Sequence, residues 1–148
     1  MGWVENLHGK TIGLDTAPLI FYIEDHPLSA NLLDPFFEAV KGGEIRVVTS
    51  ILTLLEVLVH PLKHRDESLA HAYNDILLSS PYIFTVPVTP ATAQTAAELR
   101  AASNLKSPDA IHLATAITHH ADAFLTNDRD FGEFQGLTIL KVRDLASK

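Results

Sequence analysis

Four acidic residues in this chain stand where carboxylates are costly. Asp15 ends the apolar stretch "TIGLD", and Glu56 lies in "TSILTLLEVLV", where its neighbours from Leu54 to Val59 are otherwise apolar. Asp109 follows Pro108 in "SPDAIHLATAI", and Asp128 closes "FLTND". An ionised carboxylate buried without a partner loses several kcal/mol of hydration, so repeated acids in apolar surroundings are either paired or gathered round a cation. Glu56 is the hardest to pair locally, because no Lys or Arg stands three or four residues away on its helix.

Magnitudes sharpen the alternative. Four carboxylates converging at about 6 Å would repel by roughly 3 kcal/mol per pair at an effective dielectric of about 20. Six such pairs approach the whole stability of a small domain, so a cation or bound protons must intervene. The chain has no cysteine, which leaves oxygen or imidazole as metal ligands and excludes zinc fingers and disulfides. Oxygen donors suit Mg²⁺ or Mn²⁺, and the reaction such ions serve best is phosphoryl transfer. Each acid also has an ordinary reading. Asp15 could cap a helix begun by Pro18, Asp109 could favour the positive end of its helix, and Asp128 and Asp130 could be loop acids.

Positioning these residues requires strands and helices in alternation. "TIGLD" (11–15), "EIRVV" (44–48), "YIFTV" (82–86), "AFLT" (123–126) and "LTILK" (137–141) read as short strands separated by helical patterns. "DPFFEAVKGG" has Asp34 as cap, Pro35 in first helical position and a glycine stop; a second helix opens at Thr49 or Ser50. "RDESLAHAYNDILLSS" places Leu69, Ala72, Tyr73, Ile76 and Leu77 on one face, while "TPATAQTAAELRAAS" and "SPDAIHLATAITHHA" each begin with a hydroxyl cap before Pro. This pattern predicts an α/β protein: a three-layer α/β/α sandwich round a five-stranded parallel sheet, as one domain spanning 1–148. In such sheets the ligand crevice lies beyond the carboxyl ends of the strands, where Asp15, Asp109 and Asp128 fall.

With 148 residues, 47% of them hydrophobic, the chain can bury a full core. No apolar run is long enough to span a membrane and the first ten residues lack a signal-peptide core, so a cytoplasmic protein is expected. A net charge of −7 argues against general adhesion to nucleic acid without excluding a local site.

"IGLDTAPLI", "TSILTLLEV", "SPDAIHLATAI" and "FLTNDRDF", in this order and spacing, resemble the PIN-domain ribonucleases, most closely the VapC-type toxins of toxin–antitoxin pairs. The resemblance runs from about residue 11 to 141. It implies that Asp15, Glu56, Asp109 and Asp128 form the catalytic, metal-holding quartet and that Thr16 and Thr126 are its supporting hydroxyls; Asn127, Arg129 and Asp130, in the loop with Asp128, are further candidates to support the site or meet substrate. It also implies Mg²⁺- or Mn²⁺-dependent endonucleolytic cleavage of RNA, a homodimer and a small antitoxin partner. Ala17 and Pro18 depart from the family pattern of Asn and an aliphatic residue, so no Asn contact to the first acid is expected.

His112 follows Asp109 by three residues in helical register, which allows it a supporting role beside the acids, although packing at the sheet edge is the favoured reading. His119 and His120 complement the end of the same helix. Lys106, Arg129 and "KHR" (63–65) are read first as solvated cations, with RNA phosphate contact as the second reading, and Trp3 and Phe131 as hydrophobic anchors or base-stacking groups. Two other readings compete with the nuclease. A PIN-like module without catalysis would gain nothing from mutually repelling acids. A phospho-acceptor receiver domain would need adjacent acids after the first strand and an acceptor Asp after the third, where the sequence has a lone Asp15 and "FTVPV".

Overall fold

The computed structural model describes residues 2–27, 29–128, 131–134 and 136–145. The five expected strands are present: β1 (Thr11–Leu14), β2 (Arg46–Ser50), β3 (Ile83–Val86), β4 (Ala123–Thr126) and β5 (Thr138–Lys141). They form one sheet in the order β3-β2-β1-β4-β5, every neighbouring pair parallel. The chain steps outward from β1 to β2 and β3, then returns to the far side of β1 for β4 and β5. Right-handed crossovers move helices to the opposite face when the direction of travel reverses. The two hydrophobic clusters show this division.

One cluster is built from the strand residues Ile12, Leu14, Val47 and Leu125 and is covered by α1 (Thr16–Ile23), α2 (Asp34–Lys41), α3 (Ile51–Lys63) and α4 (Glu67–Asn74). The other joins Val48 and Phe124 to α5 (Pro90–Ala101) and α6 (Ser107–Thr118). Alternate strand residues thus face opposite helical layers, as a doubly covered parallel sheet requires. A short α7 (Val142–Leu145) returns Val142 and Leu145 to the first cluster.

α6 lies unusually close to β1. A Cβ on Gly13 would fall 2.4 Å from the Cβ of Ala116, so only glycine lets the helix seat at this depth. Asp109 and His112 lie earlier on the same helix, and its seating delivers both to the carboxyl edge of the sheet.

Local differences from the sequence reading are small. β2 starts at Arg46 and runs on to Ser50, because Thr49 and Ser50 still pair with Thr85 and Val86 of β3. Ser50 caps α3 by accepting from Leu52 N, and Thr89 caps α5 by accepting from Thr92 N. In α2 the cap is Leu33, with Asp34 inside the first turn, and in α6 it is Lys106. Ser107 accepts a hydrogen bond from Arg100 Nη1 at 3.0 Å instead. The expected helix from residue 67 is α4 followed by a π-helical turn, Asp75–Ser79.

Apolar surface is exposed along α3, at Ile51, Leu55, Val59 and Leu62, whereas Ile20, Phe21, Tyr22 and Ile23 of α1 pack against the core. No helix among the described residues is long and apolar enough to cross a membrane.

Candidate active site

The reversal of strand order puts a crevice between the carboxyl ends of β1 and β4. Asp15 is the first residue beyond β1 and caps α1, its Oδ1 accepting from Thr16 N at 2.9 Å. Its own N donates to Leu125 O at 3.0 Å, which carries the β1–β4 pairing one residue past the strand. Oδ2 accepts from Thr126 Oγ1 at 2.6 Å, and Thr126 Oγ1 in turn accepts from Asp128 N at 3.0 Å. One buried hydroxyl therefore ties the loop carrying Asp128 to Asp15. The capping role and the pocket role of Asp15 are compatible, because they use different oxygens.

Glu56 reaches the same crevice from the second turn of α3. Its Oε1 accepts from Thr16 Oγ1 at 2.7 Å and lies 2.6 Å from His112 Nε2. Thr49, at the end of β2, donates to Leu14 O at 3.0 Å and meets Thr53 of α3 at 3.0 Å, which fixes the start of α3 against β1. Asp109 enters from the first turn of α6. Its carboxylate has no hydrogen-bond partner among the described residues.

All four acids line a single cavity of about 300 Å³, together with Thr16, His112 and Asn127. A larger concavity of about 450 Å³ lies where α3 meets α4, lined by Pro61, Leu62, Arg65 and neighbours; of its two acids, Asp66 caps α4 and Glu67 lies in the first turn of that helix.

The charges are unevenly relieved. Burial pushes the Asp15 carboxyl up, with nearby His112 and the hydrogen bonds from Thr126 and Thr16 working the other way. Asp109 is pushed up to about 6, by burial first and then by the charges of Asp15 and Asp128. Glu56 moves in the opposite direction: the hydrogen bond from His112, aided by that from Thr16, holds it below the usual carboxylate range against the effect of burial. Glu56 is thus held ionised by local donors, whereas Asp109 is met by burial and by the negative charges of its neighbours.

The PIN-domain family model matches residues 12–137. The chain belongs to the PIN-domain family. Solved structures share the fold at low identity. VapBC2 from Rickettsia felis, bound to a DNA fragment from its promoter, superposes with a TM-score of 0.68 at 18% identity, covering 88% of this chain and 98% of that one. DNA-bound VapBC from Salmonella typhimurium gives 0.65 at 18% identity, covering 90% and 98%. Mycobacterium tuberculosis VapC20, named as a sarcin–ricin loop cleaving toxin, gives 0.59 at 16% identity, covering 77% and 86%. A comparison with curated proteins found no match.

In this PIN domain the donor set suits a hard divalent cation. The cavity offers carboxylate oxygens, and the Oδ1 of Asn127 is buried without a hydrogen-bond partner among the described residues. No group of three or more acid or imidazole side chains among the described residues is already arranged to hold a metal ion. Mg²⁺ does not demand such a cage, because it keeps several of its waters.

Of the expected site residues, Asp15, Thr16, Glu56, Asp109, Asn127 and Asp128 line the cavity, and Thr126 lies behind it on Asp15. Arg129 and Asp130 lie outside the described residues. His112, expected to be packed at the sheet edge, is indeed buried, yet its ring also bonds directly to Glu56. The available signal was its spacing from Asp109, one helical turn, which puts both side chains on one face.

Proposed function

We propose that this PIN domain is a divalent-metal-dependent endoribonuclease, the toxin of a toxin–antitoxin pair acting in the cytoplasm. The observation that carries this reading is the gathering of four carboxylates, from segments up to 113 residues apart, into one cavity with little local compensation for Asp109. Asp15, Asp109 and Asp128 are assigned to hold Mg²⁺ or Mn²⁺, with Asn127 as a neutral oxygen donor. A bound ion supplies charge stabilisation for the scissile phosphate and acidifies water.

Glu56 is assigned to orient the attacking water, since it stays ionised beside His112 and Thr16. Water oxygen joins phosphorus, the bond from phosphorus to O3′ breaks and a proton passes to O3′. The products carry a 5′-phosphate and a 3′-hydroxyl. RNA as substrate rests on the family resemblance, together with the neighbour named for cleaving the sarcin–ricin loop. An antitoxin partner is proposed by analogy with the neighbours, whose structures are VapBC complexes. A homodimer is proposed on the exposed apolar stripe of α3.

The test pairs cleavage with melting. Wild-type protein with Mg²⁺ is expected to cut RNA and Asp15→Asn to lose at least a hundredfold in rate, while Mg²⁺ or Mn²⁺ raises the melting temperature of wild type as ligand linkage requires. A fully active Asp15→Asn variant excludes the mechanism. Wild-type protein that neither cleaves nor responds to either ion is instead the non-catalytic interaction module.

A further inference from the structure

Glu56 is gripped by one oxygen only. His112 Nε2 at 2.6 Å and Thr16 Oγ1 at 2.7 Å both converge on Oε1, so its two lone-pair directions are occupied. Oε2 has no such partner among the described residues, and the side chain is 31% exposed in the cavity.

The imidazole is fixed from the other side by burial. Its side chain is 1% exposed, and Nδ1 has no hydrogen-bond partner among the described residues. A carboxylate only accepts, so Nε2 must carry the hydrogen between them. A histidine serving packing alone would be a poor choice here: it brings a ring nitrogen into the core that no neighbour satisfies, where leucine brings none. The bond to Glu56 accounts for the polar ring. Thr16 completes the arrangement, spending its one hydrogen on the same oxygen.

We propose that His112 and Thr16 are positioning residues that lock Glu56 through Oε1 and leave Oε2 as the single acceptor for the attacking water. This rests on the nuclease reading above and narrows it, since a carboxylate held by one oxygen is a directed acceptor rather than a two-oxygen metal clasp. Supporting groups of this kind typically contribute about 10–100-fold to activity.

The experiment combines single-turnover RNA cleavage with histidine ¹⁵N NMR on the full chain. His112→Leu is expected to lower the maximal rate 10–100-fold with KM little changed. His112→Gln, whose amide nitrogen can replace the Nε2 donor, should recover most of that loss. In a Glu56→Gln background, His112→Leu should add nothing, because the residue acts only through Glu56. In wild type and in Asp15→Asn, His112 should show the Nε2-protonated form with a hydrogen-bonded proton resonance that Glu56→Ala removes.

Full activity in His112→Leu, or an undiminished loss in the Glu56→Gln background, overturns the assignment. So does absence of that resonance in wild type. If Asp15→Asn cleaves as well as wild type while the resonance persists, the nuclease reading has failed and this role falls with it, leaving only the hydrogen bond.

Discussion

Thr126 Oγ1 donates to Asp15 Oδ2 at 2.6 Å while accepting from Asp128 N at 3.0 Å. The relative placement of two acids from neighbouring strands is thereby set by one fully buried hydroxyl. Thr126→Val keeps the shape and deletes both bonds, taking a donor from Asp15 Oδ2 and an acceptor from Asp128 N. A loss of about 1–3 kcal/mol in stability is expected, measurable by denaturant titration, with a fall in cleavage. Thr126→Ser should retain both, and equal stability of the Val and wild-type proteins would show that the bonds contribute nothing.

Asp109 gives a pH signature. Its carboxyl is pushed up to about 6 from an unfolded value of 3.8, so between these limits the native chain holds a proton that the unfolded chain has released. Its contribution to stability therefore falls as pH rises through that window and stays low above it. The melting temperature of Asp109→Asn should exceed that of wild type by a margin that grows from pH 4 to 7 in metal-free buffer. A margin independent of pH contradicts the assignment.

The approach of α6 to β1 can be tested at Gly13. Gly13→Ala forces a methyl to 2.4 Å from the Cβ of Ala116, an overpacking expected to cost about 1–3 kcal/mol. Displacement of α6 also carries Asp109 and His112 away from the pocket, so cleavage should fall with stability. Ala116→Gly in the same chain should recover part of both, by thermal melting and by rate.

The apolar stripe of α3 bears on assembly. Leu55 and Leu62 are 61% and 65% exposed, and an arginine at either position costs the isolated subunit little. If this face pairs two copies, Leu55→Arg and Leu62→Arg should convert a dimer to a monomer in light scattering without lowering subunit helicity. Dimers that survive both substitutions place the interface elsewhere.

Much of this architecture is legible residue by residue. β1 to β5 announce themselves as short apolar runs, and Glu56 stands out because α3 is otherwise apolar around it. Strand alternation requires crossovers, but nothing in it says that β4 lies beside β1. That adjacency decides that Asp15 and Asp128 meet through Thr126. For His112 the sequence offers its spacing from Asp109 but not its partner: Glu56 is 56 residues away in the chain, and only the seating of α6 over Gly13 brings them together. The α6 cap at Lys106 was obscured for a more local reason, since Ser107 spends its hydroxyl on Arg100.

Because β4 is inserted between β1 and β5, the pocket is completed late in synthesis. A ribosome must deliver the segment through Asp128 before the third wall of the crevice exists, whatever the earlier helices have already formed. Nascent polypeptides stalled short of that point carry Asp15, Glu56 and Asp109 but lack the strand and loop that bring Asp128 beside them.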